Sequence, residues 1–161
     1  MNTLYPAHWL SLAGERDTEQ IERYGKPCPC FRREFSLLDK PLKSAELWAT
    51  AIGVFKAYVN GEPADGDYMS PGFTDYRVRI PWLKYVSVCA KIVLKYMDGE
   101  KQEIITDDAW RVDTDEIMRT DNYMGEVVDH RAAKNKRFYL PGYDYSEGGW
   151  QKPVYRDYWI N

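Results

Sequence analysis

The stretch at residues 46–62 reads ELWATAIGVFKAYVNGE and has the pattern of two β-strands followed by a tight turn. Small or aliphatic residues at positions 47, 49 and 51 alternate with Trp48 and Thr50, and Gly53 then interrupts the alternation. The second strand, at residues 54–59, runs into Asn60-Gly61. Asn-Gly favours a two-residue hairpin turn of the primed type, because both residues tolerate a positive φ. The sequence therefore predicts a hairpin centred on Asn60 and Gly61.

A second hairpin is predicted around Asp98-Gly99. Residues 85–97 form one long apolar-rich segment that predicts a strand, and residues 101–106 are expected to return antiparallel to it. Residues 107–112 read as a turn followed by a short strand. We expect the core to include these four side chains: Ile92, Leu94, Ile104 and Trp110.

The rest of the chain adds short strands rather than helices. Strands are predicted at residues 31–37, 77–81 and 126–129, a loop at 114–125, a short helix at 18–24, and a surface tail at 139–159. Short strands separated by frequent turns are typical of a β-sandwich or barrel. We predict a mainly β protein, an antiparallel jelly-roll β-sandwich of the galactose-binding-like kind. Residues 1–29 would be an irregular lead, and residues 30–161 the sandwich with its aromatic-rich C-terminal tail.

The composition limits the class of partner. Aromatic residues make up 15% of the chain, with 13 Tyr and 6 Trp, and such side chains favour strands. Their rings also suit the apolar faces of sugars, although most rings fill cores. The net charge of −3 argues against nucleic acid, because neutralising phosphates requires a basic face.

Cysteine and histidine are too few for a structural metal site. Cys28, Cys30 and Cys89 are an odd number, and the Cys28-Pro29-Cys30 spacing is too tight for a zinc knuckle. Free thiols are the expectation. No apolar run reaches the roughly 18 residues of a membrane helix, and the N-terminus does not resemble a signal peptide. The chain as written is thus expected in the cytoplasm, with no membrane partner.

The sequence carries no recognisable catalytic motif. Its 25 acidic residues make chance pairs common, and no G-x-S-x-G elbow, phosphate-binding glycine loop or histidine metal motif is present. Two acidic loops, at residues 65–67 and 121–122, carry the oxygen ligands that calcium prefers, but they lack the spacing of an EF-hand loop. No cofactor is predicted, and ordinary turn chemistry is the alternative to calcium.

Several motifs in a fixed order resemble the N-terminal domain of bacterial α-L-rhamnosidases. The first is the hairpin at residues 46–62, followed by Pro71-Gly72 within the segment SPGFTDYR, residues 70–77. The remaining blocks follow downstream at residues 96–99, 107–112, 121–131, 141–143 and 149–150. Together these blocks fall within residues 31–153.

The resemblance implies a non-catalytic accessory domain of a glycoside hydrolase, which binds carbohydrate weakly or supports a catalytic (α/α) barrel. A structural or interaction sandwich with no ligand is the alternative. Relatives usually carry a longer passage after Tyr85, and the barrel with the catalytic acids is absent here, so this chain alone is not expected to hydrolyse a glycan.

A carbohydrate site is predicted where the loop at residues 65–67 meets the loop at residues 121–123. Sugar recognition needs planar hydrogen-bonding groups and a ring face. The first are expected from Asp67, Asp121 and Asn122, and the second from Tyr76 and Tyr123. If calcium takes part, its ligands would be Asp65, Asp67 and Asp121, with the hydroxyls of a rhamnose-containing glycan completing its shell.

Overall fold

The computed structural model describes residues 4–13, 27–64, 66, 86–121, 125–133, 138–146 and 148–157. Within these ranges the chain is mainly β, and the strand pairs are antiparallel. The strands are β1 Trp9–Ser11, β2 Pro29–Arg32, β3 Leu42–Ile52, β4 Tyr58–Val59, β5 Glu62–Pro63, β6 Ser87–Tyr96, β7 Lys101–Ile105, β8 Arg111–Thr114, β9 Ile117–Asp121, β10 Gly125–Val128 and β11 Val154–Arg156. A 3₁₀ turn, His130–Ala132, follows β10. No helix in this part of the chain is long and apolar enough to cross a membrane.

The largest sheet, here called the main sheet, is built around β6. Its strand order is β11-β1-β6-β3, and β7 also pairs with β6. The register of β3 on β6 runs from Leu42 opposite Tyr96 to Ile52 opposite Ser87. β3 therefore begins earlier than the alternation starting at Leu47 indicated, and it ends where Gly53 takes a φ of 104°. That conformation strongly favours glycine.

One edge of β6 is shared end to end by β1 and β7, and Thr106 joins them. Leu10 pairs with Val88, while β7 pairs with β6 from residue 91 to 95. Thr106 is fully buried in the gap between them. Its N–H donates to the Ala90 carbonyl at 2.9 Å, and its hydroxyl donates to the His8 carbonyl at 2.6 Å. These bonds satisfy backbone groups that a break in the ladder would otherwise leave unpaired.

Both predicted hairpins are confirmed. At the first, Asn60 and Gly61 have φ values of 51° and 86°, as a primed two-residue turn requires, between the pairs Tyr58↔Pro63 and Val59↔Glu62. Its strands are only two residues long, far shorter than the predicted strand at 54–59. At the second, Gly99 has a φ of 90° and its N–H donates to the Tyr96 carbonyl.

The core lies on the main sheet and around β8. Leu94 and Ile104 are buried as predicted, together with Leu10, Ala51, Ile52, Cys89, Ala90, Tyr96 and Val112. Ile92 and Trp110, also predicted to be core, are only half-buried. The indole N–H of Trp110 donates to the Ile105 carbonyl at 2.8 Å, which closes the turn after β7. Trp110 therefore contributes a polar bond at the edge of the core as well as apolar packing.

Several segments that were predicted to be irregular contain strands in the structure. The lead predicted over residues 1–29 includes β1, in the main sheet, and the tail predicted over 139–159 includes β11, at its edge. The loop predicted at 114–125 contains β9, which pairs with β10. The strand predicted at 31–37 is instead β2, Pro29–Arg32, which pairs with β8. The predictions at 18–24 and 77–81 lie outside the described residues. The jelly-roll arrangement and the boundary at residue 30 stay predictions.

Candidate functional site

The predicted carbohydrate site falls almost entirely outside the residues that the structure describes. Asp65, Asp67, Tyr76, Asn122 and Tyr123 all lie in undescribed segments. Asp121 ends β9, and its backbone pairs with Gly125 across the β9–β10 hairpin. The two loops therefore stay a prediction, as does their meeting point.

The calcium prediction rests on the same side chains and also stays untested. Among the described residues, no three His, Cys, Asp or Glu side chains lie close enough together to hold a metal ion. None of the three cysteines, all of which lie in the described ranges, forms a disulfide, and burial raises the pKa of Cys28 and of Cys89. A raised thiol pKa lowers the thiolate fraction at neutral pH, so these two residues are poor nucleophiles and poor ligands.

The Arg32 guanidinium, at the end of β2, is the centre of a buried polar network. Arg32 is only 9% exposed. Its Nη2 donates to the Leu140 carbonyl at 2.8 Å and to Glu34, its Nε donates to the Phe138 carbonyl, and its Nη1 donates to the Tyr145 hydroxyl. Burying a charge is unfavourable unless it is paired and hydrogen-bonded, and these acceptors meet that requirement.

Glu34 completes this network on the outer side. Its Oε1 accepts from the N–H of Gly142 at 2.8 Å and of Tyr143 at 3.2 Å. The bond from Arg32 and those two backbone bonds hold the pKa of Glu34 below its ordinary value. The carboxylate is therefore ionised at neutral pH and links β2 to the C-terminal segment.

That segment, residues 138–146 and 148–151, is here called the aromatic strap. Its rings pack on one another edge-on or tilted: Tyr143 and Tyr145 lie 6.0 and 5.8 Å from Trp150, and Phe138 lies 5.8 Å from it. The Arg32 guanidinium lies 5.0 Å from the Tyr145 ring centre and 5.4 Å from that of Tyr143. The rings thus cover the charge with the electron-rich faces that attract a cation.

The far end of the strap is fixed on β8. Asp113 is 4% exposed, and its Oδ2 accepts from the Gly149 N–H at 2.8 Å. Gln151 and Val112 exchange backbone hydrogen bonds at 3.0 Å in both directions. The strap is therefore held at two points, Arg32 on β2 and the Val112–Asp113 pair on β8.

Two exposed tyrosines lie at the Asn60-Gly61 hairpin. Tyr58 is 55% exposed and Tyr139 is 52% exposed. The Tyr139 ring lies against Gly61, so closely that a Cβ at this position would be 3.1 Å from its Cδ2 atom. Two exposed rings at a hairpin that also carries Asn60 and Glu62 have the residue types of a shallow sugar-binding surface.

A different surface lies at the end of the main sheet where the β6–β7 hairpin turns. Leu37, Leu38, Leu42 and Met97, here called the apolar end patch, are 53%, 37%, 42% and 69% exposed. Backbone bonds hold them together, because the Met97 N–H donates to the Pro41 carbonyl at 3.0 Å and the Leu38 N–H donates to the buried Tyr96 hydroxyl at 3.0 Å. Lys40 borders the patch and bridges Asp98 and Glu100.

Sequence reasoning missed the Arg32 network and the apolar end patch. Arg32 stands beside Arg33 in the segment predicted as a strand at residues 31–37, and its partners in the C-terminal segment lie more than 100 residues away. The one available signal was the density of Tyr, Trp and Gly at residues 138–151, which indicated a surface tail but not what it packs against.

Comparison with protein families gives a match over most of the chain. The sequence profile of the α-L-rhamnosidase N-terminal domain family matches residues 40–86 and 79–158. The two matched stretches overlap at residues 79–86. The shorter passage predicted after Tyr85 stays a prediction.

The curated relatives are much longer than this chain. The α-L-rhamnosidase of Streptomyces avermitilis is 26% identical over 150 residues, which cover 70% of this chain and 14% of the relative. The α-L-rhamnosidase of Alteromonas sp. is 25% identical over an alignment 190 residues long, which covers 92% of this chain and 20% of the relative. The chain therefore spans a fifth or less of the length of these relatives.

Solved structures share the fold. The α-L-rhamnosidase of Aspergillus terreus matches with a TM-score of 0.80 at 20% identity, over 96% of this chain and 22% of that one. The Streptomyces avermitilis α-L-rhamnosidase, solved in complex with L-rhamnose, matches with a TM-score of 0.67 at 23% identity, over 78% of this chain and 16% of that one. Likeness at these identities shows the fold alone.

Proposed function

Because this chain belongs to the α-L-rhamnosidase N-terminal domain family, we propose that it acts as a non-catalytic accessory domain of an α-L-rhamnosidase-like glycoside hydrolase. Its role in this proposal is to support the catalytic (α/α) barrel by docking against it. The greater length of the relatives supports this proposal, because most of each α-L-rhamnosidase lies outside the matched region and leaves room for a catalytic domain.

The apolar end patch is the observation that carries the supporting role. An accessory domain that buttresses a barrel needs an apolar surface to bury, and contiguous exposed apolar residues on a soluble domain mark interaction sites. The patch is held in place by backbone bonds and by the buried Tyr96, whose hydroxyl also donates to Gln102 at 2.6 Å. A preformed surface of this kind loses little conformational entropy on docking.

The test is binding between this chain and the first (α/α) barrel encoded downstream of this sequence, measured by calorimetry. Leu42→Ser or Met97→Ser should weaken binding at least tenfold. The matched control is Tyr58→Ser, which removes an exposed apolar side chain from a different surface and should leave the affinity unchanged. Equal weakening by all three variants, or no binding by the unaltered chain, would contradict docking through this patch.

Carbohydrate binding is the second candidate, favoured by the exposed Tyr58 and Tyr139. The loops at residues 65–67 and 121–123 are the other proposed location. A shallow site would give an affinity of about millimolar, or roughly 4 kcal/mol. Titration with rhamnose, with and without calcium, while amide NMR shifts are followed, separates the two locations. If no amide shifts at either location, carbohydrate binding is refuted and the supporting role remains as the proposed function.

A further inference from the structure

The aromatic strap is attached to the fold without belonging to its core. None of its described residues is among the buried core side chains, and its rings are half-buried or exposed. Instead, the buried groups are those of its anchors: Arg32 on β2, and Val112 and Asp113 on β8. Segments held by few apolar contacts open locally with a smaller free energy than the whole domain requires to unfold.

Four backbone N–H groups of the strap donate to acceptors on β8 or to Glu34, outside the strap itself. Those of Gly142 and Tyr143 donate to Glu34, that of Gly149 donates to Asp113, and that of Gln151 donates to the Val112 carbonyl. When the strap leaves its anchors, all four become exposed to water together. They therefore report the docking of the strap directly.

We propose that the aromatic strap docks and undocks as one unit, with Arg32 as its latch, while the main sheet stays folded. The guanidinium bonds to the backbone at two positions of the strap, Phe138 and Leu140, and to the Tyr145 side chain between them and the far anchor. One side chain thus holds three points of the strap. The rings packed around Trp150 connect this end to the neighbouring Gly149 and Gln151, so release spreads along the strap.

Undocking uncovers a specific part of the fold. The strap covers β8, where Val112 is fully buried and Asp113 nearly so, and it pairs with this strand through Gln151. Its release exposes the edge of β8 with which Gln151 pairs. This inference is independent of the proposed accessory role, because it concerns only contacts within the chain.

Hydrogen exchange measured residue by residue on the whole chain tests the proposal. In the unaltered protein the amides of Gly142, Tyr143, Gly149 and Gln151 should exchange at least about a hundredfold faster than that of Thr106, which is buried between β1 and β7 and donates to Ala90 of β6. Arg32→Gln should raise all four rates by a common factor of at least about ten. The Gly149 and Gln151 amides are decisive, because they do not contact Arg32. The Thr106 rate should stay unchanged.

Arg33→Gln is the matched control. It removes the neighbouring arginine, which pairs with Asp107 and not with the strap, and should leave the four rates unchanged. A rise confined to Gly142 and Tyr143 in the Arg32 variant, or an equal rise at Thr106, would overturn the proposal. If Arg32→Gln does not fold, hydrogen exchange is measured instead on the unaltered protein at several low denaturant concentrations. Exchange of the four amides with the same denaturant dependence as Thr106 would then refute separate undocking.

Discussion

Gly61→Val tests how strongly the Asn60-Gly61 turn is specified. Gly61 has a φ of 86°, a conformation that costs an L-residue about 1–2 kcal/mol. The new side chain also meets the Tyr139 ring, since its Cβ would lie 3.1 Å from Cδ2. That ring is 52% exposed and can shift outward, so the backbone should supply most of the cost. The expected destabilisation is about 1–2 kcal/mol.

A thermal melt followed by circular dichroism measures this cost. For a chain of this size, 1 kcal/mol shifts Tm by about 2–4 °C, so the expected decrease is about 2–8 °C. Gly66→Val is the matched control. The φ of Gly66 lies outside the left-handed range, and a Cβ added there would have no atom within 4 Å. It should change Tm by less than about 2 °C.

A Tyr139→Ala background separates strain from crowding. If backbone strain supplies most of the cost, Gly61→Val should lower the free energy of unfolding by the same amount with and without the Tyr139 ring, to within about 0.5 kcal/mol, as for independent effects. An unchanged Tm for Gly61→Val, or an equal decrease for Gly66→Val, would refute the assignment of the cost to the turn.

Three further predictions concern the core, catalysis and acid stability. Trp110→Ala should lower the free energy of unfolding in urea by about 2–3 kcal/mol, less than for a fully buried tryptophan, because the ring is half-buried; a change below about 1 kcal/mol would show that it does not support the core. The purified chain should release no nitrophenol from an aryl α-L-rhamnoside, and release that disappears when one acidic residue is mutated would contradict this. Arg32 and the Tyr143 and Gly142 amides lower the pKa of Glu34, so stability that is present above pH 4.5 should be lost as pH falls through the lowered pKa. Glu34→Gln should therefore flatten the dependence of Tm on pH in that acid range, and an unaltered dependence would show that Glu34 does not contribute.

The parts of the fold that local chemistry dictates were predictable from the sequence. Asn60, Gly61 and Gly99 take positive φ values that few residue types adopt, and the apolar-rich segment before Asp98 forms β6. β1 and β11 have three residues each, too few to show a period, and are strands because β6 and β1 offer partners. β9, with Arg119 and Thr120 in its middle, looks like a loop until β10 pairs with it.

The candidate surfaces were less predictable, because they depend on distant residues. The Arg32 latch joins β2 to a segment more than 100 residues later, and no local pattern indicates that pairing. The apolar end patch forms only when residues 36–42 lie along the β6–β7 hairpin, through the bonds from Leu38 to Tyr96 and from Gln102 to Ser36. Exposed leucines in a sequence look the same as core leucines.

The most direct test of the supporting role is a hydrogen-exchange footprint of this chain with and without the first (α/α) barrel encoded downstream of this sequence. The account predicts slower exchange at residues 36–42 and 96–98 when the barrel is present, with no change at residues 58–62. Slowing confined to residues 58–62, or no slowing anywhere under conditions where the two proteins bind, would contradict docking through the apolar end patch.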